Sequence, residues 1–185
     1  MAEFYVLQIG AGSPQVRSTV SLVIDGDYRI VIDPGLAPSQ QAISDPLRKR
    51  GCVVTDITDV IISHHHPDHT VNVGMFPDAR VHDHWATYHY DTWDSHPAEG
   101  FQVSPSVTLW ETPGHTPQDI STLAETEAGL VVLTHLWFYE SGPPEDPYAV
   151  DPDGVHAGRR RVLEVASLIV PGHGPPFAPT SATPS

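Results

Sequence analysis

Residues 59–69 read Asp59-Val60-Ile61-Ile62-Ser63-His64-His65-His66-Pro67-Asp68-His69, a short apolar strand that runs straight into four histidines and an aspartate. Side chains alternate along an extended chain, so His64 and His66 point to one side and His65 to the other. Past Pro67, a turn opening a helix over 68–75 would swing Asp68 and His69 toward a second, neighbouring position. Polar clusters at the carboxyl end of a strand are a common place for sites. Three more histidines stand where a strand or a Pro-Gly turn fixes their direction. They are His115 in Thr-Pro-Gly-His-Thr, His135 after the apolar stretch 130–134, and His173 in Pro-Gly-His-Gly-Pro. Imidazole and carboxylate donors without thiolates suit zinc, manganese or iron(II), and a catalytic zinc keeps about three protein ligands and an open position. These seven residues suffice for two such ions. Two metals about 3.5–4 Å apart can share a hydroxide, lower its pKa toward neutrality and polarise a carbonyl or phosphoryl oxygen, which is the chemistry of hydrolysis.

Working outward, residues 19–25 and 28–33 are β-branched strands joined by Gly26-Asp27, a hairpin that starts an antiparallel sheet. Ser39 can cap a helix running through Ile43, Leu47 and Arg50 to Gly51, with a kink or a break at Pro46. Short strands are expected at 79–82, 107–111, 120–125 and 130–134, the last two joined by a tight turn at 126–129 and implying a second sheet. Asp151-Pro152-Asp153 supplies a cap and an early proline for a helix over 155–168, which leads into a strand at 168–170. The Pro-rich, acidic stretch 140–151 reads as a loop that could overhang a site, and 178–185 as a flexible tail behind a single domain of residues 1–177. No internal repeat is visible.

The chain has 185 residues, 39% hydrophobic and 8% aromatic, which suits one folded domain. Its lone cysteine, Cys52, excludes an intrachain disulfide and reads as a small core residue. No apolar run approaches a membrane span and no signal-peptide pattern opens the chain, so a soluble cytoplasmic protein is expected, with no membrane partner. Nine basic against 23 acidic residues leave a formal charge of −14, which repels polyanions and makes nucleic acid an unfavoured partner. The 12 histidines are therefore the informative count.

His-x-His-x-Asp-His, here His64, His66, Asp68 and His69, resembles the signature of the metallo-β-lactamase superfamily, and the resemblance extends over residues 4–177. It implies an α/β (α+β, four-layer) αβ/βα sandwich, two mixed sheets with helices on the outer faces and the metals at one edge. By resemblance, His64, His66 and His115 hold a first metal, and Asp68, His69 and His173 a second. Asp33 in Val-Ile-Asp-Pro-Gly matches an early aspartate that buttresses the site. Two zinc ions are the implied cofactor, with iron or manganese as alternatives. The implied activity is attack of a metal-held hydroxide, oriented by the catalytic Asp68, on a small ester, thioester, lactone or amide.

One position departs. Where the family usually carries a bridging aspartate, this chain has His135, and a neutral imidazole offers one lone pair to one metal. His135 binds one ion, bridges, or leaves the second site weak; without that carboxylate the centre is one unit more positive. Rival readings are a nuclease or phosphodiesterase, a mononuclear iron dioxygenase of the same fold, and a metal-binding module without catalysis. Elsewhere, His65 reads as packing or support. His82, His84, His89 and His96 fall with Trp85, Tyr88, Tyr90 and Trp93 in a segment that is a folded aromatic loop or a wall of the substrate pocket. Gly10-Ala11-Gly12 lacks the third glycine of a dinucleotide loop and reads as a turn. Arg159-Arg160-Arg161 reads as a solvated helix face, and Ser63 has no evident base to make it a nucleophile.

Overall fold

Three antiparallel strands open the chain in the computed structural model, which describes residues 1–185: β1 (Glu3–Gln8), β2 (Val20–Asp25) and β3 (Tyr28–Ile32). Gly26 closes the β2–β3 turn at φ 60°, a left-handed conformation natural to glycine. β4 (Asp59–Ile61) and β5 (Arg80–His82) add in parallel. β6 (Ala86–His89) and β7 (Thr92–Ser95) then complete a seven-stranded mixed sheet in chain order. The second sheet holds β8 (Gln102–Ser104), β9 (Val107–Glu111), β10 (Ile120–Thr126), β11 (Gly129–Thr134) and β12 (Leu168–Pro171). Its order is β12-β11-β10-β9-β8, with β12 parallel to β11.

Period-two alternation turns these sheets into four layers. Val23, Ile30, Ile32 and Ile61 face inward and meet Leu109, Ile120, Val131, Leu133 and Val170 of the other sheet. Their neighbours Leu22, Val31 and Val60 face outward and are covered by Ile43 and Leu47 of helix α1 (Gln41–Lys49). On the opposite side Leu123, Val132 and Ile169 are covered by Val155 and Val162 of α3 (Pro152–Leu163). Truncating a fully buried residue such as Leu47 to alanine costs about 2–5 kcal/mol. The expected sandwich, two mixed sheets with helices outside, is the one observed.

The structure adds strands β1 and β8 to the expected elements and departs from them elsewhere. α1 runs unbroken through Pro46, because burial of Ile43 and Leu47 on either side outweighs one missing hydrogen bond. Its cap position is Gln40, without a side-chain bond, rather than Ser39. The helix expected over 68–75 splits into α2 (Pro67–Thr70) and a 3₁₀ turn at Val73–Met75. The cause is tertiary: the Asp68 carbonyl accepts from Ser18 and Leu36, and the Asn72 amide donates to Pro34. The last helix ends at Leu163, short of 168, since the Ser167 amide already pairs with Leu130 of β11. The aromatic segment 82–96 is the β6–β7 hairpin, and it lies outside the wall of the main cavity.

The Asp151 cap forms as expected, its side chain accepting from the Gly154 amide. Past Phe177 the chain turns back, and Trp137 Nε1 donates to the Pro184 carbonyl at 2.8 Å. Cys52 is buried in the core between α1 and the larger sheet. No helix is long and apolar enough to cross a membrane.

Candidate metal centre

Strand ends and the loops behind them deliver all seven expected side chains to one edge of the sandwich. Ser63, just after β4, donates its amide to Asp33 Oδ1 at 2.7 Å, and its carbonyl accepts from Ile120 of the other sheet, which fixes the exit toward His64. His115 sits on a turn locked by Asp119, whose carboxylate accepts from the Thr116 amide and hydroxyl at 2.7 and 2.6 Å. His173 is held between Gly172, whose carbonyl accepts from Thr19, and Gly174, whose carbonyl accepts from the Thr19 hydroxyl. His135 follows β11 directly.

The donor atoms converge in three overlapping groups, each within 4.8 Å: His64, His66 and His115; Asp68, His69 and His173; and His64, His69 and His135. The first two are the sets assigned from the sequence. His135 shares a group with one member of each, so it occupies the place between them. In the first group His66 Nδ1 lies 3.0 Å from His64 Nε2 and 3.2 Å from His115 Nε2. In the second, Asp68 Oδ2 lies 3.4 Å from His69 Nε2 and 3.7 Å from His173 Nε2, and His135 Nε2 is 3.1 Å from His173 Nε2.

Outer partners decide which nitrogen of each ring faces inward. His69 Nδ1 donates to Asp33 Oδ2 at 2.9 Å, His173 Nδ1 donates to the Arg17 carbonyl at 3.0 Å, and His115 Nδ1 donates to Asp146 Oδ2 at 2.8 Å. Their Nε2 atoms are thereby turned inward, that of His115 toward His66 Nδ1 and those of His69 and His173 toward Asp68 Oδ2. Fully buried His69 Nε2 makes no well-formed hydrogen bond, its charge partner Asp68 Oδ2 lying 3.4 Å away. A buried nitrogen without a proper hydrogen bond, converging with a carboxylate and a second imidazole nitrogen, is costly unless a cation sits among them, so the residues fit a metal. Asp33 performs the supporting role in a left-handed conformation (φ 52°) unusual for a residue with a side chain. His135 Nδ1 is buried without a partner, so this buried ring lacks an outer anchor.

Charge follows the same geometry. Burial, reinforced by neighbouring imidazoles, pushes His64 and His135 well below the usual histidine range, and burial lowers His66 and His173 too. These rings are neutral, the form that binds metal. Burial also acts to lower His69, but Asp33 and Asp68 outweigh it and raise the ring to about 9 in the metal-free protein. Burial raises Asp68, while His69 overcomes this and brings the carboxyl down to about 2. Asp119, 3.9 Å from His64 Nδ1, is pushed up to about 6 by burial against the pull of Thr116.

A cavity of about 840 Å³ opens onto the centre, with His66, Asp68, His115, His135 and His173 at its base. Its walls come from Val16, Phe138 and Tyr139 and from Pro143, Pro147, Tyr148 and Val150 of the 140–151 loop. No lysine or arginine lines it. Arg159 is not on a solvated face, as the run of arginines suggested. It is 1% exposed, and its guanidinium donates to the carbonyls of Leu136, Pro143 and Pro144, tying that loop down. His65 turns away from the centre to Asp83, 3.0 Å distant. Ser63 Oγ lies against His64 and His69 and supports their rings. Asp146, Asp119 and Arg159 escaped the sequence reading; only the Thr-Pro-Gln-Asp turn after His115 carried a local signal, for Asp119.

Fold and centre together define a metal-dependent hydrolase scaffold of the metallo-β-lactamase type. The model of the metallo-β-lactamase superfamily matches residues 14–178, and the chain belongs to that family. Among curated proteins it is similar to metallo-β-lactamase domain-containing protein 1 of Xenopus laevis, 31% identical over 96% of this chain and 79% of that one. The Homo sapiens protein of the same name is 35% identical over 80% of this chain and 59% of its own length. Among solved structures, a putative metallo-β-lactamase from Thermotoga maritima has a TM-score of 0.78 at 23% identity, covering 96% of this chain and 99% of that one. A B. thuringiensis AiiA mutant with N-decanoyl-L-homoserine bound at its active site has a TM-score of 0.68 at 21% identity, covering 93% and 92%. A third, TTHA1623 in a di-iron-bound form, also scores 0.68 at 21%, covering 92% and 94%. At these identities the solved structures show the shared fold.

Proposed function

We propose that the protein hydrolyses a small, uncharged ester, thioester, lactone or amide at a binuclear centre, with zinc as its metal. His64, His66 and His115 would hold one ion, Asp68, His69 and His173 the other, and His135 stands between them. Ions bound there would acidify a water molecule and polarise the scissile carbonyl. Asp68 stays ionised at neutral pH and faces the cavity, placed to orient the attacking water while holding the second ion. Phe138, Tyr139 and Tyr148 form an aromatic side of the cavity.

The observation that carries this reading is the character of the cavity: a floor of metal-type donors under largely apolar walls without a cationic side chain. A phosphodiester would find nothing but the metals to neutralise it, and the −14 charge of the chain works against a polyanion. The test is a panel of esters, thioesters and lactones beside a phosphodiester and single-stranded RNA, using zinc-loaded wild type and His66→Ala. Carbonyl substrates should be cleaved by wild type alone. Cleavage confined to the phosphodiester or the RNA would transfer the centre to nuclease chemistry.

A further inference from the structure

The loop that walls the cavity also reaches into the centre, at Asp146. This carboxylate is 3% exposed; Oδ2 accepts from His115 Nδ1 at 2.8 Å and Oδ1 from the Tyr148 amide at 2.8 Å. On one side of it Arg159 grips the carbonyls of Pro143 and Pro144. On the other, the amides of Val150 and Asp151 donate to the Gly114 carbonyl at 2.9 and 3.0 Å, next to His115 itself. The adjoining side chains Pro147 and Tyr148 face the cavity. By contrast, the carboxylate behind His69 is Asp33, which follows β3 and is braced by the Ser63 amide. His115 therefore takes its orientation from an irregular loop, whereas His69 takes it from the sheet.

We infer that Asp146 is a positioning residue for His115, and that through it the substrate-facing loop and the His64–His66–His115 group share one conformational equilibrium. With Asp146 accepting from Nδ1–H, the His115 lone pair is fixed at Nε2, 3.2 Å from His66 Nδ1. When the loop lifts, the ring loses both its tautomer and its direction. Reciprocity follows: an ion held by His115 favours the closed loop as much as the closed loop favours the ion. The inference rests on the metal reading of the three-histidine group.

The test uses the full chain stripped with a chelator and titrated with zinc against a chromophoric competitor, as wild type, Asp146→Ala and Asp146→Asn. The alanine variant should bind one of two zinc equivalents about 10–100-fold more weakly and the other unchanged, as loss of an outer partner does elsewhere. Asn, whose amide oxygen still accepts from Nδ1–H, should fall between. Zinc should also slow proteolytic cleavage within 140–151 of wild type, and slow it less in Asp146→Ala. A purely structural role would lower thermal stability and leave both affinities alone. Wild-type affinities in both variants, or zinc that leaves cleavage of the wild-type loop unchanged, would overturn the inference. If the alanine variant does not fold, the asparagine titration and wild-type proteolysis decide. Failure of wild type to bind zinc would overturn the metal reading and this inference together; intact binding with unaltered variants would overturn this inference alone.

Discussion

Gly10→Ala should damage the metal centre although Gly10 is no ligand. A Cβ at this position would lie 2.6 Å from His173 Cα, 2.8 Å from its carbonyl carbon and 2.8 Å from the Thr19 nitrogen. Carbon atoms settle at about 3.5 Å or more, so His173 and Gly10 must part by about 0.9 Å. Gly10 has little room to yield, because its amide donates to Thr19 Oγ1 at 3.0 Å and that same hydroxyl donates to the Gly174 carbonyl. Metal–ligand distances tolerate only about 0.2 Å, so the displacement falls on His173 at several times what coordination accepts. Overpacking of this kind costs about 1–3 kcal/mol, which for a chain of this length lowers Tm by about 2–12 °C. Thermal unfolding of chelator-treated protein measures the first effect. Zinc titration measures the second, in which one of two equivalents should weaken by at least about tenfold. A variant with wild-type Tm and both equivalents at wild-type affinity would show that the close approach of Gly10 does not position His173.

Three other perturbations follow from the same geometry. His135→Asp supplies a carboxylate between the two groups and should tighten the weaker zinc equivalent; unchanged affinity in a competition titration would refute the view that His135 limits its retention. Arg159→Met strips the only charged donor from three main-chain carbonyls and should cost about 2–4 kcal/mol in urea unfolding while raising KM more than it lowers kcat; equal stability would contradict the clamp. The third is pH. Burial works to raise Asp59 and Asp25, but His82, Arg80 and Thr58 around the first, and Ser104 and Ser106 around the second, bring both below the ordinary carboxylate value. Their stabilisation is therefore present above about pH 4 and is lost as pH falls through the lower folded values. His69 has the opposite sign: its contribution to metal-free protein is complete below about pH 6.5 and is lost as pH rises through about 9. Chelated protein should accordingly melt at lower temperature at pH 9 than at about pH 7.5, where the four histidines lowered by burial are already neutral folded or unfolded, and a flat Tm across that interval would contradict the Asp33–His69–Asp68 pairing.

Much of this centre was legible because its residues are local or sit at strand ends. His64, His66, Asp68 and His69 lie within six positions, and strand alternation alone separates His65 from its neighbours. The β2–β3 hairpin carried its own turn chemistry. What escaped depends on partners far along the chain. The helix expected after Pro67 stops at Thr70 because carbonyl and amide groups there are claimed by residues 18, 36 and 34, which no local pattern reports. The β6–β7 hairpin was hidden because Thr92–Ser95 is exposed throughout and so lacks an apolar alternation. Arg159 read as a surface charge because arginines on helices usually are; here three carbonyls of a folded-back loop occupy it. Asp146 sits in an acidic, proline-rich loop whose composition suggests only irregularity, and its role exists only once that loop lies over His115.

Elemental analysis of protein purified without added metal or chelator, with zinc titration where occupancy is low, tests the central claim most directly. The protein should carry about two ions per chain, zinc foremost, with one lost in His115→Ala and the other retained. A chain that carries no metal and takes up none on titration would contradict that claim.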